Sequence, residues 1–191
     1  MRKLGLVIGL SVAALLSACG GGGGSSGDTH EAYSLTLRAD KKQLPINIAH
    51  TGAGIGAYAP YTTTLYVEAR EGSKPIPGGE DIFSCNIVQG FESGALYYLD
   101  GDDEHEDDDG NPLAYRSVVL GSNSGAATFH FHASNKAGTA RVMCSVTNPR
   151  DNQVSSAAVD IVVGANTGMP ASVLAVAQEP GYLGSQLNQS N

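Results

Sequence analysis

Three groups of residues in this chain of 191 have types and spacings that do chemistry. The first is Leu16-Ser17-Ala18-Cys19, a cysteine directly behind the apolar run Leu4–Leu16, which Arg2 and Lys3 precede. That run of thirteen residues is short of the roughly 20 needed to span a bilayer and ends in the small residues a signal peptidase accepts. A cut before Cys19 is predicted, which leaves its thiol at the new N-terminus, placed to carry a lipid as in bacterial lipoproteins.

The second group is the acidic run Asp100-Gly101-Asp102-Asp103-Glu104-His105-Glu106-Asp107-Asp108-Asp109. Its carboxylates are hard oxygen ligands, and calcium is the cation they suit, with Asp100, Asp102, Asp107, Asp109 and His105 as candidates. An EF-hand alignment with Gly110 in the sixth place puts His105 first and Arg116 twelfth, so that motif fails at both ends. Like charges this close repel, which leaves a solvated hairpin tip or a weak calcium site filled at millimolar ion. The third group is His130 and His132, two apart in an alternating run and so on one face of a strand, with Phe129 and Phe131 on the other. Two imidazoles at that spacing chelate zinc or copper when His105 or a nearby carboxylate supplies a third ligand; otherwise they are an exposed pair between core phenylalanines. No Gly-x-Ser-x-Gly, His-Glu-x-x-His, phosphate-loop or dinucleotide motif occurs, and carboxylates in one flexible segment cannot hold the fixed separation of an acid/base pair. No enzyme is expected.

The elements that position these groups are read from composition and period. Gly20 to Gly27 contains only Gly and Ser, a tether. From Gly20 to Ala32 it has a typical reach of roughly 20 Å. Loss of residues 1–18 leaves nine basic against nineteen acidic residues, a formal charge of −10, which argues against nucleic acid as a partner. Between residues 33 and 164 the chain is long enough for one domain with its own core. Alternation with period two dominates and no long helical period exists, so the class is all-β. Tyr33, Leu35 and Leu37 share a face; Leu65, Val67 and Ala69 point inward while Tyr66, Glu68 and Arg70 point out. Phe83, Cys85 and Ile87 form one inward set, and Ala140, Val142, Cys144 and Val146 another. Strands are also expected at 95–99, 115–120, 126–132 and 155–163, between turns such as 74–79 and 148–151. Seven to nine strands at this spacing fit a β-sandwich. Cys85 and Cys144, both core-facing and in a compartment that permits disulfides, are expected to be bridged.

The order of motifs supports a resemblance. A threonine-rich strand at 62–70, a turn from Gly72 to Gly78, an apolar strand at 81–88, Gly125-Ala126-Ala127-Thr128-Phe129 and Ala137-Gly138-Thr139-Ala140-Arg141-Val142 follow one another. Over residues 33–164 this resembles the bacterial immunoglobulin-like domains of the invasin and intimin type. The resemblance implies an immunoglobulin-like β-sandwich, an extracytoplasmic structural or adhesive role and no catalytic residues. The insertion 100–112 and the cysteine pair depart from the pattern and leave any shared binding partner open. Ala171-Ser172-Val173-Leu174-Ala175-Val176-Ala177 echoes the first strand and reads as the start of a second, truncated repeat within 165–191. Gly20 in place of aspartate, by similarity to the sorting rule of enterobacterial lipoproteins, points to the outer membrane.

The expectation is therefore a signal peptide at 1–18, a lipidated Cys19 with a tether to 32, one immunoglobulin-like domain at 33–164, and a linker beyond. As a whole it reads as a lipid-anchored envelope spacer or adhesin segment without a cofactor, held to the membrane by its lipid. A host or envelope protein or a carbohydrate is the partner class. The alternative is a metal-binding lipoprotein using calcium at the acidic run or zinc or copper at the histidine pair.

Overall fold

The computed structural model describes residues 31–56 and 59–164. The signal segment, Cys19, the tether and the echo at 171–177 lie outside the described residues. Ten strands succeed one another: β1 (Tyr33–Ala39), β2 (Gln43–Leu44), β3 (Thr62–Glu71), β4 (Lys74–Pro75), β5 (Gly79–Gln89), β6 (Gly94–Tyr97), β7 (Ser117–Ser122), β8 (Ala126–Ala133), β9 (Gly138–Thr147) and β10 (Val154–Val163). Two of them, β2 and β4, are two residues long, so eight carry the architecture.

Alternation explains the layers. In β3 the buried Leu65, Val67 and Ala69 face inward between the partly exposed Tyr66 and Glu68 and the exposed Arg70. The inward sets of β5 and β9, Phe83, Cys85 and Ile87 and Ala140, Val142, Cys144 and Val146, are buried as their period requires. Leu96, Phe129 and Phe131 from the first sheet meet Val118, Val159 and Ile161 from the second in one core. β-Branched and aromatic residues fill these positions because their side chains pack on a pleated surface.

The first sheet has the order β1-β3-β8-β6, with β4 attached to β3; the second has β2-β10-β9-β5-β7. With β1, β3, β8 and β6 as strands A, B, E and D, and β10, β9 and β5 as G, F and C, this is the strand arrangement of an immunoglobulin-like sandwich. β7 lies beside β5, although it follows β6 in the chain.

Local chemistry sets the turns. Gly72 takes φ 59° in the two-residue loop joining β3 to β4, where Arg70 faces Pro75 and Glu71 faces Lys74. A first loop residue with positive φ matches the right-handed twist of the strands. The stretch 74–79, read from sequence as a turn, is thus partly a short strand, and Ile76 reaches the core at 3% exposure. β6 ends at Tyr97 rather than Leu99, because Leu99 takes φ 53° and turns the chain out of the sheet.

The chain crosses the sandwich from end to end. Tyr33, at the start of β1, accepts a hydrogen bond at its carbonyl from Ser155 Oγ at the start of β10 (2.5 Å). At the far end β2 pairs in parallel with Val162 and Val163, and the Gly164 N–H donates to the Leu44 carbonyl (2.9 Å). Residues 33–44 and β10 therefore run in the same direction. The ten residues of β10 cover about 33 Å at ~3.3 Å per residue.

Candidate functional site

His130 and His132 project from the outer face of β8, on the side opposite Phe129 and Phe131, as their spacing requires. That face is not open. The segment between β2 and β3 returns across it: the Asn47 N–H donates to the Ser134 carbonyl (3.0 Å), and the Asn47 side chain bonds Thr51 in both directions, Nδ2 to the Thr51 carbonyl (2.8 Å) and the Thr51 N–H to Oδ1 (2.9 Å). His132 is left 7% exposed and His130 9%. The expectation of an exposed pair is corrected here: alternation assigns a face, and a covering segment then buries it.

The ring nitrogens are largely committed. His132 Nε2 donates to the Thr51 carbonyl (2.9 Å), and its Nδ1 accepts from the Thr62 hydroxyl (2.9 Å); Asn47 Nδ2, 3.0 Å from the same Nε2, donates to the Thr51 carbonyl instead. Tyr61 and Tyr97 meet the ring edge to face at 6.5 and 5.8 Å. Burial pushes the His132 imidazole below its ordinary range, outweighing the opposing bond to Thr51. His130 Nδ1 donates to the Tyr98 carbonyl (2.9 Å), and burial again lowers its pKa against the pull of that bond and of the Asp100 charge. The Thr62 and His132 pair has the elements of a hydroxyl and a base, but Thr62 is 5% exposed beneath the covering segment. The bond from His132 to Thr51, not the one to Thr62 in the neighbouring strand, ties that segment to the sheet.

The acidic run folds on itself. A short 3-10 turn, Asp103–His105, is capped by Asp102, whose Oδ1 accepts from the Glu104 N–H (3.0 Å). Asp107 Oδ1 accepts from the N–H groups of Asp109 (3.0 Å) and Asn111 (2.8 Å), and Asn111 Nδ2 adds a third donor (3.1 Å). Those bonds, led by the Asn111 backbone, hold the Asp107 carboxyl below the usual range. Asp100 accepts from His105 Nδ1 (2.9 Å); partial burial pushes its carboxyl up, and the bonds from His105 and the Asp102 N–H together outweigh that and lower it. The structure thus joins His105 to Asp100 and lays its ring flat on Tyr98, 3.7 Å between centroids and 6° between planes. The carboxylates of Asp102 and Asp107 instead serve their own turns, and Asp109 contributes its N–H to the second. Among the described residues no group of three or more His, Cys, Asp or Glu is placed to hold a metal ion.

Cys85 and Cys144 form a disulfide and are fully buried. They are direct partners in the ladder between β5 and β9, with Cα atoms 4.0 Å apart, so the bridge joins neighbours within one sheet. The inter-sheet bridge of antibody domains joins strands B and F instead.

A further feature escaped the sequence reading. At the end of the sandwich where β10 terminates, Asn47, Thr51, Phe91, Tyr97, Arg116 and Asn135 line a groove of about 420 Å³. Phe91 is half exposed there, its ring 5.8 Å beneath the Arg116 guanidinium, and Arg116 Nη1 donates to the carbonyls of Phe91 and Gly94. The sequence signal was an aromatic residue beside Gly90, inside what read as a strand connection.

No family model matches this chain, and no curated protein matches it. Among solved structures it is similar to the D00-D0 domain of intimin, with 17% identity and a TM-score of 0.38, covering 72% of this chain and 51% of that one. It is also similar to residues 27–141 of a conjugate transposon protein from Bacteroides vulgatus (11% identity, TM-score 0.35, 72% and 90% covered). A third is BslA, a bacterial hydrophobin (13% identity, TM-score 0.29, 69% and 99% covered). The chain spans about half the length of the intimin structure it matches.

Proposed function

We propose that this protein is a lipid-anchored module of the bacterial cell envelope, a non-catalytic spacer or adhesin segment that holds its cargo away from the membrane. One observation carries the reading: the polypeptide enters the sandwich beside Ser155 and leaves it beside Leu44, at opposite ends of β10. A domain threaded end to end adds about a strand length to whatever chain contains it, whereas one whose ends meet adds almost nothing. The processing box at Cys19 supplies the membrane end of this arrangement, and several acyl chains on one cysteine would anchor it stably where one would not. The outer membrane is the proposed location, and an envelope or host protein or a carbohydrate the proposed partner.

Expression of the full chain in a bacterial host with a labelled fatty acid tests the anchor. Label is expected on the wild type and is expected to vanish with Cys19→Ala, with the protein moving to the soluble fraction. Label that survives the substitution overturns the reading.

A further inference from the structure

The second sheet ends at β7, whose sequence Ser117-Val118-Val119-Leu120-Gly121-Ser122 holds no charge and no proline. Its outward residues Ser117, Val119 and Gly121 are exposed, and Val119 is 46% exposed. An uncharged, apolar edge strand of this kind is a template for another chain. Here it is occupied. The Val119 N–H donates to the Tyr98 hydroxyl (3.0 Å), and that hydroxyl donates to the Val119 carbonyl (3.1 Å), so one side chain takes both edge groups at the middle of the strand, which a further strand would need. The adjacent edge, β6, is closed in the same region: Leu96 and Tyr115 exchange backbone bonds of 2.9 and 2.8 Å.

Tyr98 and Tyr115 bracket the acidic insertion, and their rings meet edge to face at 5.2 Å. His105, oriented by Asp100, stacks on Tyr98 and stands 6.3 Å from Tyr115, so the insertion is fastened to the flank it springs from. Eight carboxylates lie between Asp100 and Asp109. A second copy approaching β7 in register would set one such run against another, and like charges held that close repel.

We infer that the segment from Tyr98 to Tyr115 guards the β6 and β7 flank against strand pairing with a second copy of this chain. Tyr98 occupies the hydrogen-bonding groups of Val119, and the acidic run keeps the second copy at a distance. This accounts for an insertion that holds a dense charge in a protein otherwise close to neutral, and it is independent of the proposed anchor.

The test combines Tyr98→Phe, which keeps the ring but removes the hydroxyl, with deletion of residues 102–109. Amide exchange at Val119 is expected to rise about five- to tenfold in Tyr98→Phe, the effect of one lost hydrogen bond. In sedimentation the wild type is expected to stay monomeric and the combined variant to self-associate. Adding Val119→Pro is expected to restore the monomer, because proline removes the edge donor and Val119 N–H makes no bond to β5. If the combined variant does not fold, Tyr98→Phe alone is read in the same way at high salt, where the carboxylates are screened. A folded variant that stays monomeric, or an association that Val119→Pro does not reverse, overturns the inference.

Discussion

His132 donates from Nε2 to the carbonyl of Thr51 at 2.9 Å, a bond that ties β8 to a segment 81 residues earlier in the chain. The bond needs only the neutral ring, and burial holds the imidazoles of both His132 and His130 below their ordinary value of 6.5. A base whose folded pKa is lowered binds fewer protons folded than unfolded, so stability rises with pH across that interval. The melting temperature is expected to be flat above about pH 7, to fall as pH drops below 6.5, and to reach a lower plateau once both rings are charged. Asp100, Asp107 and Asp160, held below 3.8, contribute in the same direction only at more acid pH. Thermal melts of wild type and a His130→Asn/His132→Asn variant between pH 7.5 and 5 check it; an equal slope in both would show that other groups carry the effect.

Replacing both bridge cysteines by alanine is expected to lower unfolding free energy by about 4 kcal/mol, the chain-entropy value for closing a loop of this length. The separation is 59 residues. Urea titration of the oxidised and double-variant domains measures it, and a loss under about 1 kcal/mol would mean that the unfolded chain keeps those strands together.

Ile76→Ala is expected to cost about 2–4 kcal/mol, as a large-to-small change in a packed core does. Ile48→Ala, at a position 70% exposed, is expected to be close to neutral. Equal effects at the two positions would contradict the placement of Ile76 under β3.

Calcium at millimolar concentration is expected to leave the melting temperature of the domain unchanged. Asp107 is bonded into its own turn and Asp100 is bonded to His105, so a cation would have to displace both. An ion at ten times its dissociation constant would stabilise the domain by about 1.4 kcal/mol, a readable shift; such a rise, lost on deletion of residues 102–109, would establish a site.

The sandwich was legible because its signal is local. Leu65, Val67 and Ala69, or Phe83, Cys85 and Ile87, declare their face within a few residues, and the two cysteines announced their bridge by sharing the inward set. The segment from 45 to 61 has no period, so neither its course over β8 nor the burial of His130 and His132 could be read. In the register the answer was present: Thr62 stands opposite His132 and Thr64 opposite His130. Of that cross-strand row, Thr62 supplies the hydroxyl that His132 bonds, and the pairing appears only once the strands are aligned. Ile76 was lost for a related reason, since prolines on both sides of it dominate the local signal while its partners lie in β3.

The bridge between β5 and β9 also limits how far the molecule can be stretched. Under tension applied at the two ends of the domain, β1 to β4 and β10 lie outside the covalent loop and can be drawn out, while the chain from Cys85 to Cys144 cannot. That stretch, a separation of 59 residues, would otherwise add about 200 Å of extended chain. A pulled, unfolded domain is therefore shorter by that length than one without the bridge. A chain built this way would yield under load without releasing its full length, and reducing conditions would lengthen it.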